Sequence, residues 1–228
     1  MFASVPSASA RVFWRWRATA DSARALEAGG GRIVYTTEAT INAGRGRLTV
    51  AAFDGSLPEV VARLRRVFDG ATLSYAGGTL ALGQSRAGGR VVRLAAAELG
   101  APGRTLVFSL EQSEAEAEAS RRPPPAAALK DLPPYPGSEP LFLAQDERSA
   151  LGVAVARTAA APAEVHRFYQ GALAAAGWTP ALPAGAFEPP SLRLYVRQER
   201  MCAVLVEPPD AEGRRRITVL HKERGIAY

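Results

Sequence analysis

A chain of 228 residues with 47% hydrophobic content and a formal charge of +6 has room for two domains near the commonest size and is too apolar to be disordered throughout. The basic balance invites a nucleic-acid or anionic-membrane reading, yet Lys130 and Lys222 are the only lysines among 28 basic residues; beside the Ala, Gly and Pro runs, such an arginine excess looks more like the codon bias of a GC-rich genome than a basic surface. A lone Cys202 excludes an intramolecular disulfide and a cysteine-rich metal site, and no run approaches the roughly 18 apolar residues of a membrane-spanning helix.

Residues 1–10 end in Ala8-Ser9-Ala10, the small-x-small pattern of a signal-peptidase site, but the basic and apolar stretch that precedes such a site is missing. The stretch reads as a remnant of a signal peptide or as a plain Ala/Ser-rich terminus. The first reading places the protein in the periplasm or outside the cell, with the cytoplasm as the alternative, and allows membrane contact only through a missing N-terminal segment. Arg11 to Arg17 alternates as a strand. Arg11, Trp14, Arg15, Trp16 and Arg17 form a candidate interaction surface, because guanidinium groups and indoles together stack on nucleic-acid bases or sit at a membrane interface; arginines lying over tryptophan faces at a strand edge are the simpler account. Asp21 or Ser22 then caps a short helix through Ala28, closed by Gly29-Gly30-Gly31.

The first α+β domain is expected over 11–113. Arg32 to Ala52 alternates about Asn42-Ala43-Gly44-Arg45-Gly46 as a hairpin. Ser56, Pro58 and Glu59 then have the chemistry of a helix start: an N-cap hydroxyl, a first-turn proline and an acid near the positive end of the dipole. Val60, Leu64, Val67 and Phe68 form one apolar stripe, with Arg63, Arg65 and Arg66 mostly off it. Leu73–Leu82, Val91–Leu99 and Thr105–Leu110 read as three strand runs, punctuated by Gly77-Gly78, Gly88-Gly89 and Pro102-Gly103.

Residues 114–134, with Glu114, Glu116, Glu118, three consecutive prolines and Pro133-Pro134, read as an extended Pro/Ala/Glu-rich linker. The second α+β domain, 135–228, repeats the order of the first. A hairpin turns around Asp146-Glu147-Arg148, Pro162 to Glu164 starts a helix carrying Val165, Phe168, Tyr169, Ala172 and Leu173 on one stripe, and Gly177 ends it before Trp178. Leu192–Arg197, Met201–Glu207 and Arg216–His221 complete its sheet. Glu59-Val60 and Glu164-Val165 stand 105 positions apart in equivalent places. The fold class expected is therefore α+β, a tandem repeat of two domains, each a helix packed on an antiparallel sheet as hairpin, helix and three strands. Val60, Leu64, Phe68, Val165, Phe168, Tyr169, Leu173 and Trp178 are its expected core.

Pro134-Tyr135-Pro136-Gly137-Ser138, followed by Val165, Phe168-Tyr169, Leu173 and Gly177-Trp178, resembles a module of exported bacterial proteins, mostly of unknown function. The resemblance covers about 100 residues and its motifs are short. The tandem layout is also similar to the paired helix-grip domains of BamC, an outer-membrane assembly lipoprotein, although the lipobox cysteine of such proteins is not in the sequence. Both resemblances imply an envelope protein that binds other proteins.

His166 and His221 are the only imidazoles, the first expected to point partly to solvent and the second to end the last strand. No His/Cys/Asp/Glu group has metal-ligand spacing, so no metal is expected. Cys202 reads as a buried structural thiol without an activating base. The glycine pairs lack the phosphate-loop and dinucleotide patterns, so no small-molecule cofactor is expected. Glu59 and Glu164 are explained by the helix dipole, and Arg214-Arg215-Arg216 by a hairpin turn. The leading reading is a non-enzymatic envelope interaction module whose partner is another envelope protein. An arginine-rich nucleic-acid-binding protein and an enzyme with an acidic site assembled only in the fold are the alternatives.

Overall fold

The computed structural model describes residues 21–76, 78–99, 103–129, 132–182 and 191–222. The protein is a mixed α+β molecule, rich in antiparallel sheet, with four helices among the described residues. The described residues divide into two compact units, one drawn from 21–37 and 46–117, the other from 38–45 and 118–222.

In the first unit Asp21 caps α1 (Ser22–Ala28), its carboxylate accepting the Ala23 N–H at 3.1 Å. Six strands follow: β1 (Arg32–Ile41), β2 (Gly44–Asp54), β3 (Thr72–Tyr75), β4 (Leu80–Ala87), β5 (Arg90–Glu98) and β6 (Arg104–Ser113), hydrogen-bonded in the order β3-β4-β5-β6-β2-β1. The helix α2 (Leu57–Val67) lies between β2 and β3 in sequence. Its first turn is fastened by the Ser56 N–H donating to the Glu59 carboxylate at 2.9 Å, which together with the Ser56 hydroxyl and Arg63 holds that carboxyl below its ordinary range. Leu57, Val60, Val61, Leu64 and Phe68 are all buried against Phe53, Leu94 and Val107 of the sheet. Each such side chain contributes about 1.5–3 kcal/mol before the entropy of ordering it is subtracted. The stretch Leu73–Leu82, expected as one strand, is instead a hairpin of β3 and β4, with the Ala76 N–H donating to the Leu80 carbonyl at 2.8 Å where the sequence carries Gly77-Gly78.

In the second unit β7 (Glu139–Asp146), β8 (Leu151–Thr158), β9 (Thr179–Pro180), β10 (Leu192–Arg197), β11 (Arg200–Val206) and β12 (Arg215–Lys222) pair in the order β7-β8-β12-β11-β10-β9. The tip of the first hairpin belongs to this unit: Ala39, Thr40 and Ile41 of β1 pair with Asp146, Gln145 and Ala144. Asn42, a turn residue by sequence, accepts the Leu143 N–H at 2.9 Å and donates to the Ser120 carbonyl at 2.7 Å. The helix joining β8 to β9, Pro162–Ala175, starts with the Ala161 N–H donating to the Glu164 carboxylate at 3.1 Å. It ends in a Schellman motif: Gly177 has φ +80, and the Gly177 and Trp178 N–H groups donate to the Ala174 and Leu173 carbonyls at 3.0 and 2.9 Å.

Part of the stretch expected as a free linker is built structure. Glu114–Ala119 forms the helix α3, so the helix Pro162–Ala175 is α4 in chain order. Beyond α3, Ala127, Leu129 and Leu132 are buried with Val165, Leu173 and Val204 in the second core. Their apolar side chains among the prolines give the segment something to bury. Leu129 fills the space over Gly152, where a Cβ would come within 2.6 Å of its Cδ2.

Trp178→Ala should cost about 3–5 kcal/mol and Leu73→Ala, which removes a buried side chain of the first core, about 2–5 kcal/mol in urea unfolding. Phe168→Ala should cost less than Trp178→Ala, because Phe168 is only partly buried. A loss under about 1 kcal/mol for Trp178→Ala contradicts the packing described.

Candidate interaction surface

Side chains alternate across a strand, so each unit's strands have a face under its main helix and, among the described residues, a face that no long helix covers. In the first unit Ala51, Phe53, Val107, Leu94 and Ala81 point to the helix. Their neighbours in sequence point away, and strand register sets them in cross-strand rows: Leu82, Ala95, Phe108 and Val50 in one, Leu80, Ala97, Leu106 and Ala52 in the next. Leu82 is 47% exposed and Phe108 38%. An antiparallel sheet with one free face ordinarily turns polar side chains outward; these two rows carry none. At one end of this face Arg93 donates to the Ala117 carbonyl of α3 at 2.7 Å. Ala117 is buried there.

The second unit has the same arrangement. Ala154, Ala156, Val204, Ile217 and Val219 face the helix, and the opposite face presents Leu194, Ala203, Leu220, Val153 and Ala144 in one row and Leu192, Leu205, Thr218, Val155 and Phe142 in the next. Val196 and Met201, the latter 42% exposed, adjoin them beside Lys222. A charged border closes one end. Arg157 and Arg214 both bond the Glu139 carboxylate at 3.0 Å, and Arg216 lies 3.5 Å from Glu207. These charges satisfy one another, so this end of the face asks for no charged partner.

The expected site residues fall into three groups. Arg11, Trp14, Arg15, Trp16 and Arg17 lie outside the described residues, as do residues 1–10. The core set is placed as follows: Val60, Leu64, Phe68, Val165, Tyr169, Leu173 and Trp178 are buried, and Phe168 sits at the margin. Tyr135, Phe168 and Tyr169, three residues that carry the resemblance to exported modules, meet edge-on, with ring centroids 5.3 and 5.1 Å apart. That motif, with the Gly177-Trp178 helix end, is accounted for by packing.

The third group corrects an expectation. His166 is buried, not partly in solvent: the face of α4 against the sheet is wider than the stripe read from the sequence, and His166 stands 105 positions after the buried Val61. His221 is buried too, its ring 5.2 Å from Trp178 and tilted by 59°. Cys202, paired with His221 in register, is fully buried, and loss of water pushes its thiol up to about 12. Burial likewise raises Tyr169 to about 12, against a backbone hydrogen bond with Tyr135. Among the described residues no group of three His, Cys, Asp or Glu side chains is arranged to hold a metal ion, and no helix is long and apolar enough to cross a membrane.

Searches against protein-family models, curated proteins and solved structures returned no match.

A thiol held protonated in this way is a poor nucleophile. In native buffer at pH 8 Cys202 should react with a disulfide reagent at least about a hundredfold more slowly than in denaturant; complete native labelling within minutes would mean that the β11–β12 core opens readily.

Proposed function

We propose that the chain is a non-enzymatic bacterial envelope protein, a tandem repeat of one α+β unit, that binds an apolar, uncharged face of another envelope protein through the helix-free faces of its sheets. The observation that carries the proposal is the composition of those faces. A contiguous apolar surface on a folded protein marks an interaction site, and the Arg157, Arg214 and Arg216 charges at one end of the second face are already paired with Glu139 and Glu207.

The repeat reading rests on order and register. Counted from the first strand of each unit, both sheets run 1-2-6-5-4-3, with the helix between strands two and three. Val60 with Val165, Val61 with His166 and Leu73 with Trp178 are buried at the common spacing of 105. Each helix is preceded by an N–H that donates to the acid three residues on. The envelope reading rests on Ala8-Ser9-Ala10, on the resemblance to exported modules, and on a thiol shielded from oxidants.

The nucleic-acid alternative is weakened by local use of the arginines. Arg45 pairs with Glu147 at 3.0 Å, Arg90 with Glu111 at 2.8 Å and Arg121 with Glu118 at 2.9 Å, while Arg63 and Arg65 donate to the Asp54 and Leu73 carbonyls at 3.1 and 2.7 Å. Binding to DNA or RNA at physiological salt should be no tighter than the non-specific range, a Kd of about 10⁻⁴–10⁻⁶ M.

Photo-crosslinking in the native cells tests the proposal. With benzoylphenylalanine in place of Phe108 or Met201, a discrete, protease-sensitive adduct is expected in the periplasmic fraction; in place of Arg66, on the outer side of α2, none is. Nuclease-sensitive adducts, or none from either sheet face, would overturn it.

A further inference from the structure

We propose that the open sheet face of the first unit is a groove that seats an amphipathic α-helix of the partner protein, with small and aliphatic side chains on its buried stripe. The inference rests on the proposed function, since it names what that face binds.

Register sets Ala95 of β5 between Leu82 of β4 and Phe108 of β6, and Ala97 between Leu80 and Leu106. A strand that turns methyl groups outward therefore runs between two strands that carry long apolar side chains. The result is a trough with an alanine floor, and Leu82 and Phe108 in its walls are exposed. Neighbouring strands lie about 4.8 Å apart, so the walls stand about 9.6 Å apart, close to the width of an α-helix. From Ala95 to Leu99, which lies just beyond β5 and is exposed, the floor runs about 13 Å, the length of about nine helical residues. A flat sheet laid on these walls would leave a void over the alanines, whereas a convex helix fills it.

The opposite end of the same face already carries a helix. Arg93, two residues before Ala95 on the line of the floor, donates to the Ala117 carbonyl of α3 at 2.7 Å, and Ala117 is buried there together with Leu110, the cross-strand neighbour of Arg93. An alanine-bearing helix is thus the kind of element this face accepts, and the partner helix continues that contact along Ala95 and Ala97. The second unit is shaped differently. Its β11, which holds the place of β5 in the strand order, turns Met201 and Leu205 outward on either side of Ala203, so long side chains occupy the middle column.

The test uses the full chain and a lactam-braced model helix with Ala and Leu on one stripe and Lys and Glu elsewhere; a proline-broken peptide of otherwise the same sequence is the control. Titration followed by methyl NMR should shift Leu80, Leu82, Leu106 and Ala97 and leave Leu192, Leu205 and Leu220 unmoved, and the broken peptide should not bind. Ala97→Leu adds apolar surface but fills the floor, so it should weaken binding at least about tenfold; a merely apolar attraction would strengthen it. Because this variant could disturb β5, the broken peptide on the unmodified chain gives an independent readout. In the native cells, the adduct formed with benzoylphenylalanine in place of Phe108 should disappear when Ala97→Leu is added. An adduct that persists there would overturn the groove and leave the proposed function standing, whereas no adduct from Phe108 in the otherwise native chain would remove both. Equal shifts in the two units, equal binding of the broken peptide, tighter binding by Ala97→Leu, or an adduct of twice the chain's own mass, which would make the occupant a second copy, would each overturn the proposal.

Discussion

The structure depends on one contact made twice, an amphipathic helix laid across one face of a twisted antiparallel sheet. Val60 and Val165 are fully buried at the centres of these contacts, and the residues that surround them are the two cores. A two-stranded hairpin is marginal in water by itself, and a short helix more so. Each becomes stable because the other removes its apolar side chains from solvent. The same contact explains the helix ends. An acid that captures the N–H three residues before it and, in α4, a glycine that turns the chain back onto Trp178 fix where the helix starts and stops relative to the sheet.

Among the described residues α1 and α2 cover one face in the first unit and α4 covers one face in the second, and most of the opposite face is apolar in both. This cannot be excused by scattered surface hydrophobics, which are ordinary. Leu82, Ala95, Phe108 and Val50 are consecutive neighbours across four strands, as are Leu194, Ala203, Leu220 and Val153. Val50 at the end of its row is buried, and the ion pairs of Arg157, Arg214 and Arg216 leave one end of the second face with its charges satisfied. An apolar, uncharged partner fits this chemistry better than a nucleic-acid backbone does.

Features written in local sequence were legible. The Asp21 cap, the glycines closing α1, the Pro58-Glu59 and Pro162-Glu164 helix starts and the alternation of β8, β11 and β12 each need only a few neighbouring residues, so propensity and period suffice. Features set at long range were not. The Gly77-Gly78 turn inside Leu73–Leu82 was legible, but not that the short runs on its two sides pair as separate strands, because each has too few residues to show a period. His166 looked exposed because a polar side chain marks the edge of a stripe only when nothing else packs over it; the spacing that pairs it with Val61 was the available signal. Ala127, Leu129 and Leu132 were hidden by the prolines around them, since composition describes a segment and burial depends on what it meets. The free sheet faces were present as alternating apolar positions, but alternation alone does not say that both sets are apolar on purpose.

The central claim is that each sheet has one face sealed by its helix and one apolar face open to solvent, and it is tested most directly by methyl NMR with a soluble, neutral paramagnetic agent. The account predicts strong relaxation of the Leu82, Leu106, Leu220 and Met201 methyl groups, while those of Val60, Leu64, Val204 and Val219 are spared. Similar relaxation of both sets, or protection of the first set in the isolated chain, would contradict it.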